Sequence, residues 1–154
     1  MDTGRLGLLG RSMGGGVVYN TLVVAPGLFD AAVAFAPVSA RPEENIDQFQ
    51  RLEGDPLMAE IESAHGTPLR TRSSGGRCPP SPTSTDRVTD PLLIHHGTAD
   101  TTCPLRWTRQ TVAAFEKAGK DVELRTHHGK GRTFSSRWAR SMETTVDLFE
   151  EHLR

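Results

Sequence analysis

The chain has little of what marks secreted, membrane-spanning or nucleic-acid-binding proteins. It has only two cysteines in 154 residues, Cys78 and Cys103, and their separation argues against a disulfide framework and against a paired-cysteine metal site. No apolar run approaches the roughly 20 residues that cross a bilayer, and no signal peptide pattern opens the sequence. These absences predict a cytoplasmic protein with no cofactor and no metal.

Charge of one sign is also absent. The 18 Lys and Arg residues nearly balance the 19 Asp and Glu residues, which leaves a formal net charge of -1. Such a chain has no electrostatic footprint for nucleic acid or for an anionic membrane. We therefore expect a peptide or a small molecule as its partner.

Apolar residues are missing from one whole segment. Between Arg70 and Arg87 the chain has no Val, Ile, Leu, Met, Phe, Tyr or Trp, and Ser, Gly and Pro dominate it. A segment of this kind buries too little surface to offset its ordering entropy. The composition predicts a disordered loop over residues 70–87 inside one domain, since 154 residues are too few for two ordinary domains.

The rest of the chain alternates between strand and helix patterns, with two short amphipathic helices between Pro42 and His65. This alternation predicts an α/β fold with a mostly parallel, doubly wound sheet. Functional residues of such sheets collect on the loops that follow the strands. Strands are predicted at Arg5–Leu9, Asp30–Ala36, Pro91–His95 and Asp121–Thr126, and helices at Met13–Ala25, Leu105–Ala118 and from about Ser136 to Leu153.

The first of these loops carries a serine between glycines, in the order Gly10-Arg11-Ser12-Met13-Gly14. This spacing is typical of a nucleophile elbow, a sharp strand-to-helix turn that needs small residues two before and two after the serine. The turn points the first amides of the helix, beginning with Met13, at the place where an oxyanion forms. The alternative is a glycine-rich turn that binds phosphate or only packs tightly.

Two later loops lie where the other groups of an acyl-transfer site would be expected. Asp100 follows the third strand, and a loop from His127 to Thr133 follows the fourth. The chain order serine, acid and terminal loop is that of an α/β-hydrolase. Asp100 also suits a structural role as a turn or helix-capping residue.

Three motifs together resemble the prolyl oligopeptidase family of serine peptidases, which has the α/β-hydrolase fold. They are Gly10-Arg11-Ser12-Met13-Gly14-Gly15, then His95-His96-Gly97-Thr98-Ala99-Asp100 with Pro104, and Gly129-x-Gly131-x-x-Phe134. The resemblance implies a hydrolase that cleaves peptides or other acyl compounds through an acyl-enzyme. It implies that Ser12 is the nucleophile, that Asp100 is the acid, and that the Met13 amide is an oxyanion donor.

One departure from the family pattern bears directly on catalysis. The family's terminal loop has the pattern Gly-x-Gly-His-x-Phe, and Arg132 stands where the catalytic histidine is expected. An arginine stays charged at neutral pH and accepts no proton, so it does not act as a general base. His127 and His128 are the substitutes that the sequence offers, after a rearrangement of the loop.

A second departure is the short stretch before the first strand. Family members place several strands before the elbow, so the resemblance predicts a domain truncated at its N-terminal side, with one oxyanion loop missing. It also predicts an exposed sheet edge through which the chain self-associates. The alternatives to an active peptidase are a catalytically inactive remnant, a binding module of the same fold, or an esterase.

The paired histidines do not form a metal site. His95 and His96 are adjacent on a predicted strand, where side chains alternate between faces and do not converge on one ion. The same holds for His127 and His128. We expect structural roles for His95 and His96.

Overall fold

The computed structural model describes residues 4–51, 56–66 and 85–153. The chain divides into two compact units, one formed by residues 1–40 and 82–154 and the other by residues 41–81. Of the predicted disordered loop, residues 70–84 lie outside the described residues, and Thr85–Arg87 form a 3₁₀ turn. The assignment of residues 1–154 to one domain stays a prediction.

The first unit is built on a four-stranded parallel sheet in the order β1-β2-β3-β4. The strands are β1 Gly7–Arg11, β2 Ala31–Phe35, β3 Leu92–Gly97 and β4 Val122–His127. The helices of the chain are α1 Met13–Val24, α2 Pro42–Ile46, α3 Pro56–His65, α4 Leu105–Lys117 and α5 Trp138–His152. No described helix combines the length and the apolar character that crossing a membrane requires.

Helices cover both faces of this sheet, which confirms the predicted α/β-hydrolase type of fold. Every residue of β2 is buried, because its alternate side chains enter two separate clusters. On one face Ala32 and Ala34 pack with residues of α1 and α4. On the other face Val33 and Phe35 pack with Phe134 and with residues of α5. The sheet is therefore the middle layer of three.

The strand and helix predictions are confirmed to within a few residues, with one clear error. The first strand was expected to be buried over Arg5–Leu9, but it spans Gly7–Arg11, and Leu9 is 46% exposed. The reason is its position, since β1 is an edge of the sheet among the described residues.

The second unit contains α2 and α3. A π-helical turn, Asp47–Arg51, follows α2 directly. Arg41 lies 3.1 Å from Glu43 and 3.9 Å from Glu44, so ion pairs hold the beginning of α2. The two helices expected between Pro42 and His65 are present, but their amphipathic pattern is not confirmed. α2 has no buried residue, and in α3 Met58 is buried while Leu57 and Ile61 are exposed.

Candidate active site

Ser12 lies at the turn between β1 and α1 in a backbone conformation that side chains rarely adopt. Its φ is 59° and its ψ is -118°, a combination that costs on the order of 1–3 kcal/mol for a residue other than glycine. Two contacts with the next strand hold the turn. The Ser12 amide donates to the Phe35 carbonyl at 2.9 Å, and the Ser12 carbonyl accepts from the Val38 amide at 3.1 Å.

The two glycines that make close contacts at this turn are Gly10 and Gly15, whereas the motif suggests Gly10 and Gly14. A Cβ atom at Gly10 would overlap the carbonyl group of Gly14 and would lie 2.8 Å from Val18 Cγ2. A Cβ atom at Gly14 would meet nothing within 4 Å, whereas one at Gly15 would lie 2.7 Å from Pro37 Cβ. The expectation that position 14 must be small is wrong, because α1 approaches the chain after β2 one residue later.

The loop after β4 brings Arg132 to this turn. Arg132 Nη2 donates a hydrogen bond to Ser12 Oγ, and Arg132 Nη1 donates to Cys103 Sγ at 2.8 Å. Arg11 Nη2 donates to the Arg132 carbonyl at 3.4 Å, which ties the loop to β1. Position 132 therefore faces the serine hydroxyl, as expected for the position that holds the family's histidine.

A close approach at the end of β3 makes this loop position available. A Cβ atom at Gly97 would overlap the carbonyl oxygens of Lys130 and Gly131. With no side chain there, the loop crosses the strand end, and the Ala99 amide donates to the Lys130 carbonyl at 2.9 Å. The loops that carry Asp100 and Arg132 are thus joined directly.

Asp100 is buried beside the same thiol that contacts Arg132. Its Oδ1 accepts from the Thr102 amide at 2.9 Å and from the Cys103 amide at 3.0 Å. Its Oδ2 is buried and has no hydrogen-bond partner among the described residues. The carboxylate thus caps its own loop through one oxygen and keeps the other available. We call Ser12, Asp100, Cys103 and Arg132 the Ser12 corner.

His96 is near Asp100 but is held in place by other groups. Its Nε2 lies 3.7 Å from Asp100 Oδ2 and only 2.7 Å from the Cys103 carbonyl, which accepts its proton. Its Nδ1 then accepts from Thr108 Oγ1 at 2.7 Å. Burial lowers the pKa of His96, although the Cys103 carbonyl and Asp100 act against the shift. Both ring nitrogens are occupied, so this histidine has a structural role.

The other strand histidine lies on the opposite face of the sheet, as its alternation predicted. His95 Nδ1 lies 3.1 Å from His127 Nε2, and His95 Nε2 lies 3.3 Å from Thr144 Oγ1. We call these three residues the His95 cluster. Among the described residues, the donor to Ser12 Oγ is Arg132 and not a histidine. The ring of His127 is in hydrogen-bonding contact with His95, and His128 lines a pocket beside it.

The structure thus brings Ser12 and Arg132 into contact and places Asp100 within the same corner. Cys103 links Asp100 and Arg132, a role that the sequence analysis does not predict. Its place three residues after Asp100 was the available signal. Within the described parts of the chain, no three His, Cys, Asp or Glu side chains are arranged to hold a metal ion.

The sequence profile of the prolyl oligopeptidase family matches residues 1–154. The chain belongs to the prolyl oligopeptidase family. It is therefore a member of a family of serine peptidases. No curated protein matches the sequence.

Solved structures of peptidases share this fold. An acylaminoacyl peptidase of Pyrococcus horikoshii superposes with a TM-score of 0.73 and 21% identity over 99% of this chain and 25% of that one. A puromycin-hydrolyzing peptidase of Mycobacterium tuberculosis gives a TM-score of 0.75 and 20% identity over 99% of this chain and 23% of that one. The chain spans about a quarter of the length of these two proteins.

An esterase of Pyrococcus furiosus is also similar, with a TM-score of 0.63 and 18% identity. The match covers 98% of this chain and 55% of the esterase. At these identities the three likenesses establish the fold and leave the substrate open.

Proposed function

We propose that the Ser12 corner is the acyl-transfer site of a serine peptidase, with Ser12 as the nucleophile. Ser12 Oγ attacks the carbonyl carbon of a peptide or a small acyl compound, and the bond to the leaving group breaks as the hydroxyl proton passes through solvent water to that group. Water then hydrolyses the acyl-serine ester, which releases the acid and restores the hydroxyl. Met13 provides the first amide of α1, which has no acceptor within its own helix and is suited to an oxyanion. Asp100 is the acidic residue of the proposed catalytic group.

The main support for the proposal is the strained backbone conformation of Ser12. A serine at φ 59° is strained, yet three backbone hydrogen bonds, to Phe35, Val38 and Gly16, hold it there. Such strain is found where function requires a side chain in a fixed place. A turn that served only to connect β1 with α1 has no need of a non-glycine residue at this angle.

In this proposal Arg132 keeps the rate of acyl transfer low. Its guanidinium donates to Ser12 Oγ and has no lone pair for the hydroxyl proton, so the step that generates the nucleophile has no base. Loss of one member of a catalytic triad lowers turnover by on the order of 10⁴ to 10⁶. We therefore propose an acyl hydrolase site with correctly placed groups and low turnover.

A second candidate is a site that binds a peptide or acyl compound without cleaving it. The contact between Arg132 and Ser12 favours it, because the guanidinium already occupies the hydroxyl oxygen and offers a cation to a bound carboxylate.

A fluorophosphonate probe separates the two candidates, because it forms a covalent adduct only with an activated serine. The proposed hydrolase gives an adduct mapped by mass spectrometry to Ser12, and Ser12→Ala abolishes it. The matched control Ser136→Ala, in an exposed serine before α5, keeps the adduct. Folded protein that gives no adduct after prolonged incubation would overturn the hydrolase.

A further inference from the structure

A cavity lies beside β4 and α5, and it shares no lining residue with the Ser12 corner. Its volume is about 420 Å³, which is within the range of small-molecule sites. β4 contributes Arg125 and His127, and α5 contributes Arg140 and Thr144, with Arg137 one residue before that helix. The acyl-transfer chemistry proposed above uses none of these side chains.

The lining of this cavity is strongly basic. Three arginines line it, and no Asp or Glu does. Arg125 is engaged by Glu123, with Nε 2.5 Å from Oε1, which neutralises one of the three charges nearby. Arg137 and Arg140 are exposed at the beginning of α5. The cavity therefore carries an excess of positive charge that a bound anion would balance.

The three residues of the His95 cluster form one wall of the cavity. His95 is fully buried, and its two ring nitrogens are shared with His127 and Thr144. Burial first, and then the neighbouring His127 and Arg125, lower the pKa of His95 to about 3. Burial and Arg137 also lower the pKa of His127. At neutral pH both rings are therefore uncharged, and the arginines supply the charge.

The arrangement favours one class of anion. Guanidinium groups face the cavity from two directions, with Arg125 on β4 and with Arg137 and Arg140 at the beginning of α5. Guanidinium groups bind phosphate and carboxylate oxygens in pairs. A tetrahedral phosphate presents oxygens to both elements at once, whereas a planar carboxylate presents its two oxygens to one side. The remaining volume accommodates more than the phosphate itself.

We propose that this cavity is a binding site for a small phosphate monoester, with Arg137 and Arg140 as its main charge partners. Arg125 and His127 on β4 complete the site from the opposite side. The proposal does not depend on hydrolysis at Ser12, because the cavity shares no lining residue with the Ser12 corner.

The test is calorimetric titration with phenyl phosphate and with inorganic phosphate at low ionic strength. In the double variant Arg137→Gln/Arg140→Gln, we expect the affinity for phenyl phosphate to fall by at least about tenfold, the equivalent of one charge-assisted contact. Arg109→Gln, a matched control in an exposed arginine of α4, keeps the wild-type affinity. Thermal melting of each variant reports folding, and Arg140→Gln alone, with a smaller loss, serves where the double change disturbs the helix.

Two further measurements keep the proposal open to failure. The ring signals of His127 and His128 should shift in nuclear magnetic resonance spectra as phosphate is added to the wild-type chain. Succinate and citrate test the choice of phosphate, and equal or tighter binding of either one would overturn it. The site itself would be overturned by absence of binding at millimolar phosphate or by equal affinities of the double variant and the control.

Discussion

The Ser12 corner and the His95 cluster are two polar groups supported by the same strand, and they differ in where histidine is found. β3 sends His96 towards the Ser12 corner and His95 to the opposite face, because adjacent residues of a strand alternate. The His95 cluster has two imidazoles in contact and no nucleophile. The Ser12 corner has a strained serine and a buried carboxylate, and an arginine where an imidazole is needed.

The difference shows that a catalytic group is defined by its position and its open contacts rather than by its residue type. The chain has six histidines, and His96 lies only 3.7 Å from Asp100. It is nevertheless excluded from catalysis, because the Cys103 carbonyl and Thr108 occupy its two nitrogens. In the proposed acyl-transfer site, the base would therefore have to come from position 132.

The largest effect is expected from disrupting the turn between β1 and α1 that holds Ser12. In Gly10→Ala the new methyl group overlaps the Gly14 carbonyl, and overpacking against backbone lowers the free energy of unfolding by about 3 kcal/mol. Chemical denaturation measures this loss, and the fluorophosphonate adduct at Ser12 should be lost with it.

Gly14→Ala is the matched control for this change. Its methyl group meets no atom within 4 Å, and alanine favours the helix over glycine by up to about 1 kcal/mol. Gly14→Ala is therefore expected to be neutral or slightly stabilising. Equal destabilisation by the two variants would show that the turn is not packed as described.

A smaller effect is expected from acidification, which acts on the His95 cluster. The pKa of His95 is about 3 in the folded chain and near 6.5 when unfolded, so between these values the unfolded chain binds more protons. Stability that is present above pH 6.5 is therefore lost as the pH falls. From pH 7 to pH 5, His95 alone should lower the free energy of unfolding by about 2 kcal/mol.

Denaturation at several pH values in wild type and His95→Gln checks this expectation. The variant should lose about 2 kcal/mol of the pH dependence, while Ser136→Ala, an exposed change that removes no titratable group, keeps the wild-type slope. Identical slopes for wild type and His95→Gln would contradict the assignment of a neutral, buried His95.

Much of the architecture follows from local sequence patterns. The apolar runs at Ala31–Phe35 and Leu92–Ile94 are found as buried parallel strands, and the polar boundary residues end the elements near the expected positions. The exposure of β1 does not follow from its apolar run, which is like that of a central strand. The expected truncation predicts an exposed edge there, and the strand order places β1 at an edge of the described sheet.

The candidate site was predictable where a motif fixes the backbone, and much less so where it depends on contacts across the sheet. Ser12 and position 132 come from motifs of fixed spacing, and the structure brings them together. The basic cavity joins Arg125 with Arg137 and Arg140 through the packing of α5 on β4, which spacing along the chain does not reveal. The alternation of Arg125 and His127 on β4 was the one local signal for it.

The most direct test of the central claim moves a histidine into the Ser12 corner. Arg132→His should raise kcat/KM for p-nitrophenyl acetate by about 10²-fold or more, the contribution of a general base, and Ser12→Ala in the same background should remove the gain. Arg137→His, which adds a histidine away from Ser12, should leave the rate at the wild-type level. No gain in folded Arg132→His, or a gain that survives Ser12→Ala, would contradict the account.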